Sequence, residues 1–297
     1  MKKIEKQVMY VERDVSWMYF NHRILQEAEK SEVPLLERLS FLGIYSNNLD
    51  EFFRVRVASL NRLADSEALP EKHHKTLKKT LKTINQLNEA YAAEYAQAID
   101  TVFEHLEQHH IRVLNETQLN DEQKQFLCRF FYDKLNGSTN PIWLSAIDDL
   151  NVFEDNRIYL VVRKTHIEGD GKVKYAIIKV PDRIYGRFIK IPSSDGFDNI
   201  MYLDDVIRFC LPLIFIGTKP SVYDAYSFKF TKDAEMEVDN EADYGAMEKI
   251  AHGVISRKRG VPIRVIYDRE MPREIRKRIS DRLNMRELDT SLAGGRY

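Results

Sequence analysis

The chain has 297 residues, 43% of them hydrophobic and 31% charged, with a formal net charge of -1. That length fits about two domains with sizeable cores, and the near-zero net charge excludes a globally basic nucleic-acid binder while leaving local patches open. The two cysteines, Cys128 and Cys210, sit inside apolar runs and read as small core residues in a reducing compartment, not as a disulfide or a catalytic pair.

No apolar stretch follows the basic start Met-Lys-Lys-Ile-Glu-Lys, so a secretory signal is not expected. The most apolar window, Phe209 to Gly217, is far shorter than the roughly 20 residues of a spanning helix. The chain therefore reads as cytoplasmic, with no obligatory membrane span and with peripheral membrane association left open.

Ser16 suits the N-cap of a first helix whose inner face holds Trp17, Phe20, Ile24, Leu25 and Ala28. Asn21 falls on that face, where its amide needs a neighbouring backbone partner. Pro34 opens a second helix carrying Leu35, Leu36, Leu39, Leu42 and Ile44. The next run, from Leu49, places Leu49, Phe52, Phe53, Leu60 and Leu63 on one arc at about 100° per residue. Arg56 falls in the middle of this arc and Asn48 at its edge, and a charge so placed must be paired or meet a ligand. Asn48 and Glu51 also have capping-box spacing, which marks a candidate break and restart.

After the Pro70 loop, a helix is predicted from about Thr76 to His109. Leu77, Leu81, Ile84, Tyr91, Tyr95, Ala98, Val102 and Leu106 form its seam, with Asn88 as the polar exception. It reads as the spine of an antiparallel bundle. Near Ile111 the period changes. A helix over Asp121 to Leu135 leads to the loop Asn136 to Pro141. Strands are predicted at Arg157 to Arg163 and Lys172 to Val180, joined by the hairpin signal Glu168-Gly-Asp-Gly171, and at Arg187 to Ile191, Ala225 to Thr231 and Pro262 to Tyr267. Further helices are predicted at Asp204 to Phe215, Glu241 to Ser256 and Pro272 to Asn284. The fold class is thus an all-α helical bundle over residues 1–110, followed by an α+β (mixed α/β) domain over residues 111–297.

No phosphate-binding P-loop, dinucleotide fingerprint, zinc motif or nucleophile elbow occurs, and His73-His74 and His109-His110 read as solvated pairs. No catalytic residue and no metal ligand is assigned. One charged feature stands out. From Arg257-Lys-Arg259 through Arg282 the chain carries an excess of about six positive charges. On the Pro272 helix Ile275, Ile279 and Leu283 form the inner stripe, which turns Arg273, Arg276 and Arg278 outward. These read either as a solvated face or as a surface for a polyanion such as a phosphate chain.

Several runs resemble the N-terminal part of the long-chain polyphosphate kinases. They are Ser16-Trp17-x-x-Phe20-Asn21-x-Arg23-x-Leu25-x-Glu27-Ala28, Pro34-Leu-Leu-Glu-Arg38 and Ser46-Asn-Asn-Leu-Asp-Glu-Phe-Phe-Arg-Val-Arg56. Downstream, Phe230-Thr-Lys-Asp-Ala-Glu235, Pro262-Ile-Arg-Val-Ile-Tyr267 and Gly294-Gly-Arg-Tyr297 are also similar to that family. One departure is Lys232, where the family usually has Arg; it keeps the charge without the bidentate fork.

The resemblance implies reversible transfer of the terminal phosphate of ATP to inorganic polyphosphate, through a phosphohistidine and with magnesium. It implies a homodimer, a helical N domain on the adenine side and a head domain that carries dimer contacts. It places the catalytic histidines and magnesium ligands in C-terminal domains that these 297 residues do not include; the nearest thing to the family's His-x-Lys-x-x-x-x-Asp run, at His73-His74-Lys75, has Thr80 where Asp is needed. The chain alone is therefore expected to be inactive. Asn48 matches the asparagine that contacts the ATP base, work suited to a neutral amide. Arg56 and Arg23 are candidates for phosphate contact or for bracing Asp50 and Glu51, two carboxylates that otherwise read as a solvated helix face. ATP and polyphosphate are the expected partners, and DNA is not. The alternative is a non-catalytic binding or assembly module with a polyanion-binding patch.

Overall fold

The computed structural model of the protein describes residues 10–66, 70–147, 153–167, 171–233, 262–282 and 290–294. The chain divides into two compact units, Met1–Ile99 and Asp100–Tyr297.

In the first unit, helix α1 (Arg13–Glu29) starts where the Glu12 carboxylate accepts from the backbone N–H groups of Asp14 and Val15, at 2.8 and 2.9 Å. These are donors that a first turn leaves free. Ser16, the expected cap, lies inside the helix. The buried face is Met18, Asn21, Leu25 and Ala28, whereas Phe20, expected inside, is 59% exposed. A polar residue takes the inner position because its amide is satisfied there: Asn21 Nδ2 donates to the Tyr45 carbonyl at 3.2 Å.

Helix α2 (Leu35–Phe52) follows Pro34. Its inner residues are Arg38, Leu42, Tyr45 and Leu49; Leu36 and Ile44 face outward. Arg38 is buried because its Nε donates to the Ala28 carbonyl at the end of α1, at 2.6 Å. The helix is continuous through Asn48 and Glu51, so the expected break is absent there. It widens instead into a π turn over Phe53–Val57, where the Ala58 N–H reaches back to the Phe53 carbonyl, before helix α3 (Ala58–Asp65).

That turn corrects the predicted arc. A π turn inserts about one residue into the helical repeat, so the buried face moves from Arg56 to Val57 and from Leu63 to Ala64. Leu63 is correspondingly exposed and Arg56 moves to the rim.

Helix α4 (Glu71–Gln108) is longer than predicted, about 57 Å at 1.5 Å per residue. Leu81, Ile84, Asn88, Tyr91, Ala98, Val102 and Leu106 of the expected seam are buried, and Leu77 and Tyr95 are half-buried. His22 of α1 stacks on Tyr91 with ring centroids 3.8 Å apart and bonds Glu94 at 2.6 Å, and Tyr45 stacks on Tyr95. The helix ends at Gln108, and in the turn that follows, His110 has a φ of 60°, in the left-handed region.

The second unit is α+β, as its pattern of elements predicts. Strand β1 (Ile111–Leu114) pairs in parallel with β6 (Asp198–Tyr202), which pairs antiparallel with β5 (Phe188–Ile191). The larger sheet has six strands. They are β2 (Ile142–Trp143), β4 (Val173–Lys179), β3 (Ile158–His166), β7 (Ser221–Lys232), β8 (Pro262–Asp268) and β9 (Thr290–Gly294), side by side in that order. All pairs are antiparallel except β8 with β9. Helices α5 (Asp121–Phe130, extended by a π turn to Leu135), α6 (Asp182–Tyr185), α7 (Leu203–Ile214) and α8 (Arg273–Arg282) complete it. The predicted helix over Glu241 to Ser256 lies outside the described residues.

Alternation along β3 builds two cores. Leu160 and Val162 face Leu127, Phe131, Val206, Ile207 and Cys210. Tyr159 and Val161 face Phe228, Phe230, Met271, Ile275 and Ile279. A sheet covered on both sides reads as a continuous apolar run, which is why β3 is legible in the sequence. Burial pushes the Cys210 thiol up to about 12, with Cys128 adding to the shift, in keeping with an inert core thiol.

A buried charge cluster ties α7 to the sheet. Arg208 donates to Asp205, to Asp268 at 2.9 Å, to Ser227 Oγ and to the Ala225 carbonyl at 3.1 Å. Asp204 accepts from Arg187 and from Ser227 Oγ. Burial opposes the Arg208 charge, but the three aspartates outweigh it and raise its pKa. Burial pushes Asp204 up, yet Arg187 and Arg208 hold it below the usual carboxylate range; for Asp268 burial wins and its pKa is raised. Asp204 therefore adds stability above the ordinary carboxylate range, lost as pH falls through its lower native value. Asp268 does the reverse, and its burden is relieved as pH falls. Replacing Arg208 with Met should cost about 3–5 kcal/mol in urea unfolding at pH 7. The deficit should shrink at pH 4.5, because stranded buried carboxylates take up protons. A deficit independent of pH would count against this account.

Candidate functional site

The Asn-Asn-Leu-Asp-Glu-Phe run lies on the last two turns of α2, immediately before the π turn, a feature that often accompanies functional sites. Asn48 sits half-buried on the flank of α2. Its Nδ2 donates to Asn21 Oδ1 at 3.2 Å, and Asn21 in turn donates to the Tyr45 carbonyl. The Asn48 Oδ1 has no hydrogen-bond partner among the described residues and is not buried. One turn on, Phe52 stacks on Trp17 of α1, with centroids 4.1 Å apart and planes within 2°. The outward amide of Asn48 is therefore held between two packed helices.

Arg56 forms a bidentate pair with Asp14, Nε to Oδ1 at 2.9 Å and Nη2 to Oδ2 at 3.0 Å. The Asp14 side chain is 6% exposed and that of Arg56 37%. Arg56 thus braces a carboxylate on α1. Glu51 pairs with Arg54. Asp50 is buried, so only Glu51 fits the expected solvated face. Arg23 is exposed and makes no hydrogen bond or ion pair among the described residues. Sequence reasoning missed Asp14 as the partner of Arg56 and missed the link from Asn21 to Asn48. The available signal was that both asparagines lie on or beside apolar faces of consecutive helices.

In the second unit, Lys232 is 2% exposed and its Nζ donates to the Phe153 carbonyl at 2.8 Å, so it works as an internal tie. The basic helix α8 does not present its arginines as one cluster. Arg278 turns to Glu274, at 3.0 and 3.2 Å, and lies over Tyr175. Arg276 bonds the Tyr267 hydroxyl at 3.0 Å. Arg273 makes no hydrogen bond or ion pair among the described residues, and at 100° per residue it shares a face with Arg276 and Lys277, away from Arg278. Leu283 and the Arg257-Lys-Arg259 run lie outside the described residues.

Residues 10–114 match the family model for the polyphosphate kinase N-terminal domain, and residues 122–297 match that for the polyphosphate kinase middle domain. The chain belongs to the polyphosphate kinase family. It is 35% identical to the polyphosphate kinase of Vibrio vulnificus (strain YJ016) over 297 residues, covering 97% of this chain and 41% of the relative. The corresponding enzyme of Escherichia coli (strain K12) is 32% identical, with 97% and 42% covered. The crystal structure of polyphosphate kinase from Porphyromonas gingivalis superposes with a TM-score of 0.75 at 28% identity, over 97% of this chain and 39% of that one. The chain thus spans about two fifths of the length of these relatives, and what it carries is the family's N-terminal and middle domains.

Magnesium, which the family resemblance implies, finds no matching donor set: no group of three or more His, Cys, Asp or Glu among the described residues is placed to hold a metal. Asp204, Asp205 and Asp268 converge, but their charges are already taken up by Arg187 and Arg208. No described helix is long and apolar enough to cross a membrane.

Arg56→Ala should lower stability by about 1–3 kcal/mol, the cost of leaving the buried Asp14 carboxylate unmet. Arg56→Lys should restore only part of it, since one ammonium cannot reproduce two parallel bonds. Thermal unfolding of the three proteins checks this, and an unchanged midpoint for Arg56→Ala would remove the bracing role.

Proposed function

We propose that these residues supply the base-recognition side of a polyphosphate kinase, which reversibly moves the terminal phosphoryl group of ATP onto inorganic polyphosphate through a phosphohistidine. The observation that carries the reading is Asn48, on the family's N-terminal domain, half-buried and with its amide oxygen free of partners among the described residues. A neutral amide can meet a purine edge without the desolvation cost of a charge. Arg23, exposed and unpaired among the described residues, is the candidate for a phosphate contact. Residues 1–110 form the adenine side and residues 111–297 the head, which carries the contact of a cytoplasmic homodimer. The exposed aliphatic residues Ile167, Val173, Ile216 and Val222 support a contact surface there, and a monomer in sedimentation of the intact enzyme would remove the dimer from this reading.

Phosphoryl transfer and magnesium binding belong, on this reading, to further domains, so the 297 residues alone make no product. Incubation with γ-labelled ATP and magnesium should leave the chain unlabelled and yield no polyphosphate; covalent label would sink that claim. Asn48→Ala should weaken ATP binding about tenfold, the scale of one amide–purine pair. Unchanged binding would take Asn48 out of the site.

A polyanion surface is favoured by the face that Arg273 shares with Arg276 and Lys277. Charge reversal at Arg273 and Lys277 should advance elution from a polyphosphate matrix to lower salt. Reversal of Arg278, already paired with Glu274, should do less. Equal effects at all three would argue for a general charge response.

A further inference from the structure

We infer that Asn21 is a positioning residue: it fixes which way round the Asn48 amide faces a nucleotide, and so sets a preference for a purine with an amino group at position 6 over one with a carbonyl there. The inference rests on the reading of Asn48 as the residue that meets the base.

The polarity follows from one group that has no choice. The Tyr45 backbone carbonyl can only accept, so the Asn21 atom 3.2 Å from it must be Nδ2. The other end of the Asn21 amide is then Oδ1, an acceptor, and it lies 3.2 Å from Asn48. Asn48 must therefore turn its own Nδ2 inward. Turning Asn48 over alone would set two amide oxygens against each other. Turning both over would set the Asn21 oxygen against the Tyr45 carbonyl. Asn21 is only 1% exposed, so water cannot easily replace either bond.

What remains for a ligand is the Asn48 Oδ1 and the second proton on Nδ2, one acceptor beside one donor. That pair complements adenine, whose 6-amino group donates while the adjacent ring nitrogen accepts. A 6-oxo purine presents an oxygen lone pair to the same amide oxygen. An unrestrained asparagine would adapt by rotating; this one is held. Discrimination would then depend on a residue that never touches the nucleotide.

ATP and inosine triphosphate separate the two roles, because they carry the same phosphates and ribose and differ at the 6-position. Titrations of the whole chain, followed by NMR, should give tighter binding of ATP by about tenfold. Asn48→Ala should weaken ATP and abolish the preference. Asn21→Leu, and Asn21→Ala as a smaller replacement, should keep ATP binding within about threefold while the preference falls toward parity, with folding followed by thermal unfolding. If Asn48→Ala leaves ATP binding unchanged, or the chain shows no saturable response to ATP, the base-contact reading fails and this inference with it. If Asn48→Ala weakens ATP but both Asn21 variants retain the tenfold preference, only the positioning role is overturned. Equal wild-type affinity for the two nucleotides overturns it as well.

Discussion

The π turn at Phe53–Val57 is the constraint on which the helical unit depends. It takes up one residue in the helix that carries the Asn-Asn-Leu-Asp-Glu-Phe run, and so lets two stretches with different apolar phases bury the same side. Before it, Leu49 and Phe52 pack inward; from its last residue onward, Val57, Leu60 and Ala64 do. A regular helix through the same residues would put the Arg56 charge where Val57 now sits. The widened turn instead leaves Arg56 at the rim, within reach of the nearly buried Asp14. A desolvation penalty of several kcal/mol or so is avoided.

The first unit uses polar groups at its helix contacts with specific partners. Arg38 reaches the Ala28 carbonyl, Asn21 the Tyr45 carbonyl, and His22 reaches Glu94. Each bond adds little net stability, but each would be expensive to leave unmade. Such bonds fix register between helices more sharply than leucine contacts, which tolerate sliding. Asn48 inherits that precision through Asn21. The second unit solves the same problem differently, by burying a sheet on both faces and tying α7 to it through the Arg208 cluster.

Much of this organisation was legible in the chain. The seam of α4 follows from its three-and-four spacing. Strands β3, β4, β7 and β8 follow from apolar runs bounded by turn residues. Strands β1, β2, β6 and β9, two to five residues long, were not legible, whereas β5, of similar length, was. The face of α1 was misjudged at Phe20, since hydrophobicity alone ranks Phe above Asn. Burial at Asn21 instead depends on a carbonyl supplied from 24 residues away. Arg278 was grouped with Arg273 and Arg276 by proximity in sequence, although helical geometry and Glu274 turn it aside.

The sequence by itself determined the class of each half and the long helix, and through the family resemblance it singled out Asn48 as a candidate contact for a base. Those features depend on local periodicity and on short motifs, which the order of residues contains. Only the tertiary structure decided the phase of α2 and α3, the Asp14 partner of Arg56, and the direction in which the Asn48 amide points. A π turn has no reliable signature in composition, and an amide has two orientations of nearly equal shape. The choice between them is made by a backbone carbonyl that is placed only when α1 packs against α2.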